Sequence, residues 1–144
     1  MPHIKPKSLN PQHGTGYHGA ILAEAGESLA ANDLVVASGY TGDRIKVRKA
    51  QADDAAMRLG FMAIADHAAA SGASVRLVTH KLITGVDTSA STALGHPVYL
   101  SDTAGGWTPD ASATTTDIVV GTVLVDHAST GAVLLAPAHS VGIE

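Results

Sequence analysis

The chain has 144 residues, of which 45% are hydrophobic and 3% aromatic, and it contains no cysteine. The missing cysteine excludes a disulfide framework, a thiolate metal site and a cysteine nucleophile, and so few aromatic rings leave few stacking sites for bases or sugars. The formal net charge is −4, and every Lys and Arg lies at or before Lys81, so residues 82–144 carry six acidic groups and no basic one. This asymmetry indicates either a means of orienting neighbouring subunits and partners, or two differently charged solvent faces.

Residues 1–18 differ from the rest of the chain. Pro2, Pro6 and Pro11 interrupt them, and proline both fixes φ and removes a backbone donor, so helix and central strand are excluded. We expect an extended N-terminal arm that becomes ordered against a partner. The first ten residues lack the apolar run of a signal peptide, and no run approaches the roughly 20 apolar residues of a membrane span. We therefore expect synthesis in the cytoplasm and no membrane partner.

The arm ends in "GTGYHG", residues 14–19, which formally fits the G-x-G-x-x-G dinucleotide pattern. That pattern works only between a strand and a helix, where phosphate meets the helix N-terminus. Here a proline-rich stretch precedes it, so we predict no cofactor and interpret the glycines as a hinge between the arm and the body.

Short apolar runs separated by turn residues follow. "DLVVASG" predicts a strand leading into a turn, and "RIKVRK" alternates strictly, with Ile45 and Val47 on one face and Arg44, Lys46 and Arg48 on the other. This is the pattern of a half-buried strand. Further along, "PVYLSDTAGGWTP" predicts two strands around a Gly-Gly turn, and "DIVVGTVLV" and "GAVLLAP" predict two more around a tight turn.

The chain also repeats itself. "GFMAIADHAAASGASVRLVT" and "GTVLVDHASTGAVLLAP" share a leading Gly, an apolar run, Asp-His, a small-residue stretch, a Gly and a second apolar run. We predict two similar β units, about 33–80 and about 96–138, joined by a connecting strand and a polar loop. Together they form one all-β domain over residues 19–144, a small β-barrel or β-tulip-like sandwich with a shared core.

The Ala-rich stretch "AQADDAAMRLGFMAIADHAAASG" is ambiguous, because helix propensity alone favours a helix over part of it. The later copy is β-branched at the equivalent positions, so we predict that "FMAIA" is a strand and "DHAAASG" its turn. A short helical turn over 52–57 remains an alternative.

No constellation of residues predicts catalysis or a metal site. His67 and His127 follow Asp66 and Asp126 in equivalent turns, where an Asp carboxylate typically bonds the backbone N–H two residues on. Adjacent Asp53 and Asp54 would point to opposite faces of a strand or favour the dipole at a helix start. We expect a protein that is not an enzyme and that holds no metal.

We also expect no nucleic-acid partner. The basic cluster is limited to Arg44, Lys46, Arg48 and Lys49, without the aromatic residues that single-strand binding needs. We interpret Arg44, Lys46 and Arg48 as a solvated strand face, or as a basic face that contacts an acidic protein surface.

Three stretches resemble the phage head decoration (capsid cement) proteins of tailed phages. "GESLAANDLVVASG" resembles the family's early strand, "LGHPVYLSDTAGGWTP" its later hairpin, and "VVGTVLVDHASTGAVLLAP" its closing hairpin. The resemblance covers roughly residues 26–137 and leaves the arm outside. The Ala-rich centre departs from the family's pattern.

The resemblance implies a β-barrel-like subunit that forms homotrimers on the outer surface of an icosahedral phage head. There the trimers would bind the major capsid protein and stabilise the expanded shell, so the protein would be a virion component made in the host cytoplasm. The arm would contact the capsid or a neighbouring subunit, through His3, Ile4, Lys5, Lys7, Leu9 and Tyr17.

A second hypothesis is a carbohydrate-binding β module displayed on a virion or tail. Its best feature is Trp107 in "GGWTP", because an exposed indole can stack on a sugar ring. A lone Trp beside a Gly-Gly turn is more often a packing anchor.

Overall fold

The computed structural model describes residues 20–90 and 95–137, and the predicted arm therefore lies outside the described residues. The described residues form strands and two three-residue 3-10 helices, which confirms the all-β prediction. The strands are β1 Ala20–Ala25, β2 Leu34–Thr41, β3 Arg44–Lys49, β4 Met62–Ala65, β5 Ser74–Val78, β6 Lys81–Val86, β7 Pro97–Leu100, β8 Trp107–Thr108, β9 Val119–Val125 and β10 Gly131–Leu135.

Strands β1 to β5 form a closed barrel in the order β1-β3-β2-β4-β5. Its neighbouring strands are antiparallel except β1 and β3, which run parallel and pair through Glu24 with Lys46 and Ala25 with Val47. β1 completes the ring by pairing with β5, from Ala20 with Val78 to Glu24 with Ser74. Closure gives every barrel strand a partner strand on each side, although β1 and β3 pair through two residues only.

Strands β6 to β10 form a second, open sheet in the order β6-β10-β9-β7-β8. The barrel has the same strand order when β1 to β5 are matched in turn with β6 to β10. Read in the same direction, β3-β2-β4-β5-β1 in the barrel then corresponds to β8-β7-β9-β10-β6 in the open sheet. Each predicted unit thus has one further strand before it, β1 or β6, that pairs with the unit's last strand. The repeated sequence plan therefore corresponds to a repeated strand topology.

Two hydrophobic cores share strands β2 and β4. Val35 and Ala63 point into the barrel, whereas Leu34, Val36 and Ile64 point outward against the concave side of the open sheet. The open sheet contributes its own inward side chains to this second core: Ile83, Val98, Leu100, Val120, Val123, Val133 and Leu135. Burial on both faces explains why "LVV" and "MAIA" are continuous apolar runs rather than alternating ones.

Backbone hydrogen bonds also join the two halves, through the turn between β7 and β8. The Gly105 N–H donates to the Ala50 carbonyl (2.8 Å), and the Leu34 N–H donates to the Gly105 carbonyl (2.9 Å). Gly105 has φ +80°, and a Cβ there would lie 2.9 Å from the Asp33 carboxylate. A glycine is therefore required at the point where this turn meets the barrel.

The Ala-rich stretch follows the prediction taken from its later copy. Met62–Ala65 is strand β4, and the helical alternative is reduced to the 3-10 helix Ala55–Met57, which Asp54 caps by accepting from the Ala56 N–H. An equivalent 3-10 helix, Ala111–Ala113, is capped by Asp110 in the second half. Within the described ranges, no helix is long and apolar enough to cross a membrane.

The core between the barrel and the open sheet can be tested with Leu100→Ala. Leu100 is fully buried in that core, so we expect truncation to lower the free energy of unfolding by about 2–5 kcal/mol, measured by urea denaturation. Leu59→Ala is the control, because Leu59 is 57% exposed and its truncation should change stability by less than about 0.5 kcal/mol. Equal effects of the two substitutions would contradict this packing.

Candidate interaction surfaces

The predicted basic residues lie on the outer side of the barrel, which we call the charged face. Ile45 and Val47 turn toward the barrel core, as predicted, so Arg44, Lys46 and Arg48 project from the opposite side of β3. Their role as a contact face stays a prediction.

The charged face carries acidic as well as basic groups. Lys46 Nζ lies 3.9 Å from Glu24 Oε1, and Arg48 Nε lies 3.6 Å from Glu27 Oε2. Arg44 Nη1 donates to Ser74 Oγ (2.7 Å). Neighbouring carboxylates offset much of the positive charge, so this face is mixed rather than strongly basic.

Asp66 links the barrel to the first strand of the open sheet. Its carboxylate accepts from Arg76 Nη2 of β5 (2.7 Å) and from Lys81 Nζ of β6 (3.1 Å). The hydrogen bond from Arg76, followed by the one from Lys81, lowers the pKa of Asp66 below its ordinary value. The carboxylate therefore stays charged at neutral pH and fixes the junction at which the chain leaves β5 and enters β6.

The Asp-His turns are held by histidine, and the prediction that Asp66 caps its own turn is wrong. His67 Nε2 accepts from the Arg76 N–H (3.1 Å) while its Nδ1 donates to the Ala68 carbonyl (2.9 Å). In the second copy, His127 Nδ1 accepts from the Ser129 and Thr130 N–H groups. The imidazole is thus the turn-stabilising group in both copies. The Asp66 carboxylate binds the side chains of Arg76 and Lys81 instead.

Acidic residues of the second half are also held as charged groups. The pKa of Asp102 is lowered by hydrogen bonds from the Thr115 backbone and hydroxyl, and the pKa values of Asp87 and Asp110 are lowered by bonds from Ser89 and Ser112. In the described part of the chain, no three His, Asp or Glu side chains cluster closely enough to hold a metal ion.

The described strand residues on the outer side of the open sheet carry no charge, and we call this side the apolar face. One row of paired residues crosses the four strands β6, β10, β9 and β7. Leu134 of β10 pairs with Leu82 of β6 and with Thr122 of β9, and Thr122 pairs in turn with Pro97 of β7. Tyr99 and Val119 pair on the same side of the sheet. Leu82 is 55% exposed and Val119 45%. Exposed apolar side chains that lie side by side on one face favour an interaction site.

Trp107 does not present an exposed ring. It is partly buried and packs against the core between the barrel and the open sheet. This contact makes it a packing anchor. The Trp107 ring, which favoured a carbohydrate site, therefore contributes to the core instead. The arm residues predicted to make contacts, from His3 to Tyr17, lie outside the described residues.

Comparison with known proteins shows that the fold is similar to that of a bacteriophage head protein. The chain is similar to a solved structure, the N base of head fiber gp8.5 in bacteriophage phi29, with a TM-score of 0.52 and 16% sequence identity. The match covers 87% of this chain and 98% of that one. No protein-family model matches the sequence, and curated proteins give no significant match. The resemblance to phage head proteins is confirmed at the level of the fold.

The junction at Asp66 predicts a pH dependence. A carboxylate whose pKa is lowered by folding stabilises the native state above its unfolded pKa of about 4, and this contribution is lost as the pH falls through the lower folded pKa. We therefore expect Asp66→Asn to lower the free energy of unfolding by about 1 kcal/mol at pH 7, with a smaller difference from wild type at about pH 2.

Thermal or urea denaturation across this pH range measures the difference. Asp126→Asn is the matched control, because Asp126 occupies the equivalent turn and, among the described residues, forms no ion pair. A loss in Asp66→Asn that stays constant down to about pH 2, or an equal loss in the control, would show that the ion pairs do not stabilise the junction.

Proposed function

We propose that this chain is a structural virion protein that decorates the outside of an icosahedral phage head as a trimer and stabilises the shell. The observation that carries the proposal is the fold match, which spans nearly all of a head fiber base. The major capsid protein is then the partner, and the outer surface of the head is the location. No catalysis is needed for this role.

The packing of the molecule suits a role as a clamp. Closure of the barrel and a second core shared through β2 and β4 make a rigid body, so little conformational entropy is lost when it binds. Three weak contacts on one trimer act together through a high effective concentration. A decoration protein of this kind binds a shell through several weak contacts rather than through one tight site.

The apolar face is our candidate for the contact between subunits. It carries no charge, and Leu82 and Val119 expose about half of their surface. A contact between copies of one chain covers such a face without the cost of burying unpaired charges. The charged face and the arm then remain available for the capsid.

The double substitution Leu82→Glu with Val119→Glu tests this contact. Six carboxylates brought together in a trimer would repel and would bury charge, so we expect monomers with a circular dichroism spectrum like that of wild type. Analytical ultracentrifugation or native mass spectrometry measures the subunit number. Tyr40→Glu is the control, because Tyr40 is 79% exposed on the barrel, away from this face. Trimers that persist in the double variant would exclude the apolar face.

Binding to heads is tested by co-sedimentation with expanded, undecorated heads of the phage that encodes the chain. We expect saturable binding near one copy per capsid subunit and heads that resist heat better. If folded protein does not sediment with such heads, the proposed function is wrong.

The same assay tests the arm. Deletion of residues 1–18 removes none of the described strand or core residues, so we expect a folded protein. It should bind heads at least tenfold more weakly, since each lost 1.4 kcal/mol of binding energy is tenfold in affinity. Triple substitution of Arg44, Lys46 and Arg48 by Ser separates the charged face from the arm. Undiminished binding of the truncated chain would remove the arm from the contact.

A further inference from the structure

The open sheet ends in two strands, β6 and β8, each of which pairs with one neighbour among residues 20–90 and 95–137. Their counterparts in the barrel, β1 and β3, pair with each other in parallel and so close the ring. The repeated topology therefore leaves, in the second half, the same two edges that the first half joins. Such edges present backbone groups to which another strand can add.

On β6, the backbone groups of Leu82 and Thr84 point to the open side. The Ala136 N–H, directly after β10, donates to a carbonyl of β9. Backbone groups in an antiparallel sheet point to one neighbour and then the other along a strand, so Leu135 points to β6, where it pairs with Lys81. The same alternation along β6 turns Leu82 and Thr84 away from β10.

On β8, the backbone groups of Trp107 point to the open side. The Leu100 N–H donates to the Ile118 carbonyl, on the β9 side of β7. The pair that Leu100 forms with Trp107 across β8 is therefore one without backbone hydrogen bonds. The indole itself packs against the core, so it lies on the inner side of the sheet.

The barrel shows how such edges join. In a parallel pair the backbone bonds are slanted, so a residue bonds the neighbours of the residue opposite to it. Val47 of β3 lies opposite Ala25 of β1, and its carbonyl accepts from the N–H of the following residue, Gly26 (2.7 Å).

The edges of β6 and β8 fit the same pattern. With Trp107 opposite Ile83, the Trp107 N–H meets the Leu82 carbonyl and the Trp107 carbonyl meets the Thr84 N–H. Both side chains opposite each other then lie on the inner side, since Ile83 also belongs to the core. The polar groups and the side-chain faces of the two edges are thus complementary.

Neither edge carries the usual protection against strand addition. Native proteins block exposed edges with lysine or proline, whereas residues 82–86 and β8 contain neither. Pro109 follows β8 directly, so the pairing is short, as it is between β1 and β3.

A second copy of the chain is the partner that supplies the missing edge. β6 and β8 lie at opposite ends of one five-stranded sheet, separated by β10, β9 and β7. Each copy therefore offers β6 to one neighbour and β8 to another, and a head-to-tail contact of this kind can close into a ring.

We infer that β6 of one copy pairs in parallel with β8 of the next, so that three copies close a ring. The inference rests on the proposed trimer and names the strand edges that join its subunits. Thr84 then lies beside Thr108 of the next copy on the outer side of the sheet, so the apolar faces of neighbouring copies become continuous.

Proline substitution tests the backbone contact. Thr84→Pro removes an N–H that points to the open side, where proline is tolerated because no bond to β10 is lost, and the control Thr84→Ala keeps that N–H. We expect both variants to keep the wild-type circular dichroism spectrum. In analytical ultracentrifugation the proline variant should need at least about tenfold more protein for half-assembly than the alanine variant. Equal assembly of the two would overturn the inference.

Cross-linking tests which edges meet, since the protein has no cysteine of its own. The double variant Thr84→Cys with Thr108→Cys is treated with a short bismaleimide, both free and bound to phage heads. We expect linked dimers and trimers and no larger species on a denaturing gel, while each single-cysteine variant stays monomeric. Species larger than trimers, or linking of Thr84→Cys alone through a two-fold contact, would overturn the ring.

The subunit number separates this inference from the proposed function. Native trimers without the link would overturn the strand pairing and leave the proposed trimer standing. Monomers both in solution and on heads would contradict the trimer and the strand pairing together.

Discussion

Burial of β2 and β4 on both faces is the constraint on which the rest of the structure depends. Alternate residues of these strands point into the barrel and against the open sheet, so the same two strands contribute side chains to both cores. The open sheet needs no closure of its own, because the outside of the barrel fills its concave side. One pair of strands thereby turns two similar units into a single rigid body.

In the role we propose, the protein acts through its outer surfaces. The barrel presents mixed charge along β3, held by Glu24 and Glu27, while the open sheet presents an uncharged row from Leu82 to Pro97. The junction between them is fixed by the Asp66 carboxylate, which binds Arg76 of β5 and Lys81 of β6. Two chemically distinct faces suit the role we propose, in which the protein binds its own copies on one side and a shell on another.

Much of this fold could be predicted from local patterns. Strict alternation in "RIKVRK" gave β3 and its orientation, and the β-branched later copy resolved the Ala-rich "FMAIA" as β4. β1 was missed, because "AILAEA" alternates weakly and gains its strand only by pairing with both β5 and β3. The apolar face could not be predicted from the sequence either, because it depends on cross-strand register and on a bulge beside Tyr99 that turns Val119 outward. The ion-pair partners of Asp66, Arg76 and Lys81, lie on β5 and β6, and no local sequence pattern predicts that they meet Asp66.

The most direct measurement of the central claim is a cryo-electron microscopy comparison of heads from wild-type phage and from phage lacking this gene. The account predicts extra density on the outer surface at three-fold and pseudo-three-fold positions in wild type, and each of its three lobes should fit the barrel joined to the open sheet. Heads whose outer surfaces are identical in the two preparations would contradict it.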